Sequence, residues 1–189
     1  MTKTILIQQL EGIENAKRIN RDRVVDFILI HPEYIAELVT LAFKTTSKIH
    51  IKAAWILELV CEKQLNLLIP NLDYFTKNLK IVNHESTKRS LSKICNFLAI
   101  AYTSKKDPDF KNFIETTHIN TIIETGFDWM IDNSKVATKA YTMNALFLFG
   151  KKYDWVHTEL KLLLEQQITT ESAAYKARGK ITLALINKK

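Results

Sequence analysis

The chain has 189 residues, 47% of them apolar and 25% charged, which gives it the length and apolar content to bury one sizeable core. Four glycines and three prolines supply too little turn chemistry for an all-β fold, and no apolar run approaches the roughly 20 residues needed to span a bilayer. The net charge of +7 is unevenly spread: residues 1–75 hold 9 basic and 9 acidic side chains, 76–111 hold 8 and 3, 112–134 hold 0 and 4, and 135–189 hold 10 and 4. Asymmetry of this kind bears on partners rather than on fold.

The opening MTKTILIQQLEGIENAKR has a short apolar core and no small-residue cleavage site, so the sequence predicts no signal peptide, and the isolated Cys61 and Cys95, read as free thiols, give the expectation of a reducing, cytoplasmic setting. Residues 3–11 and 16–30 read as two helices, the second with a stripe of Val24, Phe27 and Ile28. His31-Pro32 ends it, because the residue before proline is pushed out of the helical region. Proline suits the first turn of the next helix, whose stripe is Ile35, Leu38, Val39 and Ala42. Ser47 is placed to cap a helix over 48–63. A second hairpin starts near Pro70, faces Leu72, Phe75 and Leu79 inward, turns at Asn83, and continues over 85–102 with Leu91, Ile94, Cys95 and Leu98 on one face. Asp107-Pro108 reads as a cap and first-turn proline for a short extra helix to about Thr117, carrying Phe110, Phe113 and Ile114. A third hairpin pairs 119–131 (Ile119, Ile122, Ile123, Phe127, Met130) with 135–151, capped by Asn133 or Ser134. A fourth pairs 154–167 (Val156, Leu160, Leu163, Leu164) with 171–188. Every long element has a spacing near 3.6 and none has period 2, so the prediction is all-α. Phe75, Phe127, Phe147, Phe149 and Trp55 are expected in the core.

Four of these helices align on a lysine: Lys52 (KAAWILELV), Lys88 (KRSLSKICN), Lys139 (KAYTMNALF) and Lys176 (KARGKITLAL). Small residues follow, among them Ala53, Ala54, Ser90, Ala140 and Ala177, and the seventh residue on is apolar: Leu59, Cys95, Leu146, Leu183. Two of the intervals nearly agree and the middle one carries an insertion near 104–117. A helix recurring at such a period marks a stacked array of helical hairpins.

That pattern, a basic residue, small residues, then an aliphatic, resembles HEAT and armadillo repeats over about residues 33–188. The resemblance implies an α-α superhelix of about four stacked hairpins, arranged as a single domain over 1–189. Residues 1–31 would be N-terminal capping helices and 32–189 the array. The AAWILELVCEK, FDWMID and KAYTMNALFLFGKKYDWVH stretches also resemble short helical chains sometimes labelled adenylosuccinate lyase. The serine-rich Ser-Ser-x-Met-Pro signature of those lyases is missing here: no two serines are adjacent and no proline follows a methionine closely.

Catalytic chemistry finds little footing. His31, His50, His84, His118 and His157 show no metal-ligand spacing and read as surface or boundary residues, so no metal and no cofactor are predicted. The glycines are scattered and form no phosphate-cradling loop. The i,i+4 carboxylate pairs Glu58/Glu62 and Asp128/Asp132 read as solvated faces. Cys61 and Cys95 are isolated in apolar patterns and are expected as buried free thiols, with a disulfide or metal pair as the alternative. Trp129 and Trp155 each follow an aspartate, a distant likeness to HEAT-like alkylpurine DNA glycosylases, although Asp154 as a cap and both tryptophans as packing explain the steps more simply.

The functional signal is a basic pair at i,i+4 in each repeated helix: Lys48/Lys52, Arg89/Lys93, Lys135/Lys139 and Lys176/Lys180. Spacing of four puts both charges on one helix face. Stacked in parallel, the pairs would form a basic ladder. The expected function is therefore a non-enzymatic scaffold presenting Lys88, Arg89, Lys93, Lys135, Lys139, Lys176, Arg178 and Lys180 on a concave surface to an acidic protein partner. A DNA- or RNA-binding module is the alternative, and no membrane is expected as partner. The sequence leaves the oligomeric state open.

Overall fold

The computed structural model describes residues 4–106 and 109–188. The ten α-helices of the described residues are α1 (Ile5–Glu11), α2 (Arg18–Ile30), α3 (Ile35–Ala42), α4 (Ile49–Lys63), α5 (Leu72–Lys77), α6 (Glu85–Thr103), α7 (Thr116–Ile131), α8 (Val136–Phe149), α9 (Asp154–Gln167) and α10 (Ala173–Ile186). Short 3-10 turns at Pro32–Tyr34, Leu65–Asn71, Leu79–Ile81 and Phe110–Phe113 join some of them, and no strand occurs among the described residues. The all-α prediction therefore stands. No helix is long and apolar enough to cross a membrane among the described residues.

The chain divides into two compact units, Met1–Ile94 and Cys95–Lys189. In the first, α4 is the hub, packed against α1, α2 and α3. Its apolar side is almost continuous: Ala53, Ala54, Ile56, Leu57, Leu59 and Val60 are all buried. The two alanines let neighbouring helices approach closely, while the larger residues fill the space between them. In the second unit α8 plays the same part, packed against α7, α9 and α10. The repeated pattern thus has a packing cause. The apolar residue seven after the lysine enters the core at Leu59, Cys95 and Leu146, and only Leu183 in α10 stays half-buried.

Several local expectations are revised. The Asp107-Pro108 cap lies outside the described residues. The extra helix to Thr117 is instead one 3-10 turn, Phe110–Phe113, with Phe110 and Ile114 buried and Phe113 exposed, and α7 already begins at Thr116. Ser47 Oγ accepts from the Ile49 N–H at 3.4 Å, a long contact, while Lys48 occupies the cap position of α4. Lys135, not Asn133 or Ser134, occupies that position in α8. Among the expected core aromatics Phe75 and Phe149 are fully buried, whereas Trp55, Phe127 and Phe147 are half-buried. Trp155, expected as packing, is 51% exposed and touches the Phe127 ring from the outside.

Candidate partner-binding surface

The alignment lysines turn out to serve the fold. Lys52 Nζ donates to the Glu11 carbonyl at 3.0 Å, and Lys176 Nζ to the Thr169 carbonyl at 3.0 Å. Lys88 is buried with its ammonium 3.9 Å from a Glu85 carboxylate oxygen. Lys139 is 4% exposed, pairs with Glu171 at 2.7 Å, and lies 5.6 Å from the centre of the Tyr175 ring. Each ammonium is thereby returned to the chain near a helix start. Tyr175 itself is fully buried, and burial, followed by the nearby Glu171 charge, pushes its hydroxyl pKa up.

The Glu58/Glu62 pair is not a solvated face. Glu58 is 2% exposed and accepts hydrogen bonds from Arg89 at 2.9 Å, Ser90 at 2.7 Å and Lys93 at 3.1 Å. Lys93 also reaches Glu62 at 3.2 Å, and Glu62 in turn pairs with Arg18 at 3.3 Å. Burial works against the Lys93 charge, yet the hydrogen bonds and attraction of Glu58 and then Glu62 outweigh it and raise its pKa. Burial likewise opposes ionisation of Glu62, but Lys93 and then Arg18 overcome it and hold its pKa below the usual carboxylate range. A charge taken out of water is retained only when partnered in this way.

Three histidines are buried rather than at the surface, each with a structural task. His50 Nδ1 lies 3.0 Å from the Thr87 hydroxyl, and burial, then the His84 ring, lowers its pKa. His118 Nδ1 accepts from the Glu115 N–H at 3.1 Å and closes a capping box on α7. His157 stacks on Phe147 and donates from Nε2 to its carbonyl at 2.8 Å. Cys61 and Cys95 are free and buried, and burial holds the Cys95 thiol far above its usual pKa. Among the described residues no group of three or more His, Cys, Asp or Glu is arranged to hold a metal ion.

Of the eight predicted contact residues, Lys88, Arg89, Lys93 and Lys139 therefore have carboxylate partners within the chain. Lys135, Arg178 and Lys180 are exposed, and Lys176 is half-buried. Arg178 lines a groove of about 330 Å³ in the second unit with Asn96 of α6 and Ala137, Ala140, Tyr141 and Asn144 of α8. Asn144 Nδ2 donates to Asn96 Oδ1 at 2.6 Å. The two small alanines keep the floor low, and the linked amides retain donor and acceptor capacity suited to peptide groups. Sequence reasoning missed this asparagine pair. Its signal was present, since each asparagine interrupts an otherwise apolar run, KICNFLAI and YTMNALFLF.

A family model described as a HEAT repeat domain matches residues 7–184. Neither the curated proteins nor the solved structures contain a match to the chain.

Proposed function

Since the chain belongs to the HEAT repeat domain family, a group of helical-repeat scaffolds that commonly mediate protein interactions, we propose that it binds an acidic protein segment along the second helices of its later hairpins. The observation that carries this reading is the Asn96–Asn144–Arg178 groove, built on α6, α8 and α10. Linked amides offer hydrogen bonds to an extended backbone, Tyr141 offers a half-buried aromatic wall, and Arg178 offers a bidentate donor for a carboxylate. Lys135 at the start of α8 and Lys180 on α10 add exposed positive charge, which favours encounter with an acidic segment. Lys139, although it belongs to the predicted set, acts here as a support: its ion pair with Glu171 ties α8 to the residues just ahead of α10.

The test is anisotropy of a fluorescein-labelled glutamate-rich peptide titrated with the protein. Replacing Arg178 and Lys180 together by glutamate should weaken binding at least about tenfold, a loss of about 1.4 kcal/mol. Because both side chains are exposed, the thermal midpoint should stay put. Unchanged peptide affinity in that double variant would remove the reading.

A further inference from the structure

The exposed side of the second unit carries a surface of opposite character. Phe127 and Ile131 of α7, with Trp155, Leu162 and Leu163 of α9, line a groove of about 540 Å³. Ile131 is 65% exposed, and the Phe127 and Trp155 rings sit 6.1 Å apart across the two helices. On α9 the lining residues Trp155, Glu159, Leu162 and Gln166 recur at helical spacing and form one stripe. From Trp155 to Gln166 that stripe is about 16 Å long at 1.5 Å per residue, three turns of a docked helix.

The charge around this groove is inverted relative to the whole chain. Helices α7 and α9 together carry Glu124, Asp128, Asp154, Glu159 and Glu165, against one lysine, Lys161, which lies 4.0 Å from Glu165. Glu159 lines the groove itself, and Glu124 falls on the Phe127–Ile131 stripe, three residues before Phe127. In a protein of net charge +7, this apolar groove lies between two helices whose own charge is acidic. Aromatic and aliphatic anchors inside a charged rim are the usual anatomy of a protein contact. We infer that this groove receives a cationic amphipathic helix of a protein partner, its apolar face on Trp155, Phe127 and Leu162 and its lysines or arginines against Glu124 and Glu159. The acidic rim disfavours the anionic head groups of a membrane surface, and the site is separate from the Asn96–Arg178 groove, whose failure would leave it untouched.

The probe is a fluorescein-labelled leucine–lysine peptide of about 18 residues with its leucines at helical spacing. Two controls accompany it: the same composition rearranged so that no apolar face forms, and a leucine–glutamate peptide with the apolar face kept. The expected result is saturable binding of the leucine–lysine peptide alone. Trp155→Ala should weaken it at least about tenfold, and Glu124→Gln with Glu159→Gln should weaken it several-fold and flatten its salt dependence. All three positions are exposed, so circular dichroism and thermal melting should match the parent chain. Absence of binding, equal binding by Trp155→Ala, or equal binding of either control peptide overturns the inference. Sedimentation velocity supplies the remaining outcome: a dimer that Trp155→Ala abolishes would make the groove a contact between copies of this chain, and that also overturns it.

Discussion

At the scale of single residues, the most informative side chain is Glu58, a nearly inaccessible carboxylate that accepts from Arg89, Ser90 and Lys93. Removing it leaves two cations facing each other in a partly dry space, and that penalty exceeds the loss of any one contact. Glu58→Ala is therefore expected to destabilise the protein by about 3 kcal/mol, the low end for breaking a buried pair because Glu62 still compensates Lys93. Urea denaturation at neutral pH measures it, and a change below about 0.5 kcal/mol would mean that the cluster is solvated. Acid should act through the same cluster. Glu62 has a lowered folded-state pKa, so its contribution is present above the ordinary carboxylate range and is lost as pH falls through the folded value. Lys139 belongs to the same class of residue. Charge reversal there sets a second carboxylate against Glu171, so it reports on folding rather than on binding.

Helices were readable as elements because their apolar spacing repeats and each long stripe found a core to face. Leu91, Ile94, Cys95 and Leu98 of α6 are all buried, as their register requires. What the sequence hid was contact between elements. Glu58 and Glu62 look like an i,i+4 surface pair until Arg89, Ser90 and Lys93, about thirty residues later, close over them. The same gap turned four of the eight predicted contact cations into internal partners, since spacing along one helix says nothing about the carboxylate on the next. Short connections were equally opaque. Between α8 and α9, Gly150 is needed because a Cβ there would lie 1.9 Å from His157 Cδ2. The glycine lets the imidazole stack on Phe147 and hold its carbonyl. Gly150→Ala should cost about 1–3 kcal/mol by overpacking. Combined with His157→Ala, the steric part of that cost should vanish, giving a non-additive cycle in chemical denaturation. Strict additivity would separate the two residues.

Taken over the whole molecule, a net charge of +7 overstates the positive surface available to a polyanion. If all eight predicted cations met phosphates, counterion release would give a log–log salt slope near −7, from about −0.9 per phosphate. Raising salt from about 50 to 200 mM would then cut affinity for duplex DNA about 10⁴-fold. Internal pairing withdraws Lys88, Arg89, Lys93 and Lys139 from that set, which caps the slope at about −4 and the loss at about 10²-fold over the same range. The acidic block of residues 112–134 lowers the long-range attraction further. Anisotropy of labelled duplex DNA, single-stranded DNA and RNA at the two salt concentrations measures this directly. A shallow slope fits nonspecific attraction and leaves the proposed peptide reading in place. A slope near −7 would mean that the ion pairs open to engage phosphate, and the nucleic-acid reading would then displace the peptide one. The pairing geometry argues for the shallow result, because a phosphate that drew Lys139 to itself would take the ion-pair partner of Glu171, and one that drew Lys93 would leave the buried Glu58 with Arg89 as its cation.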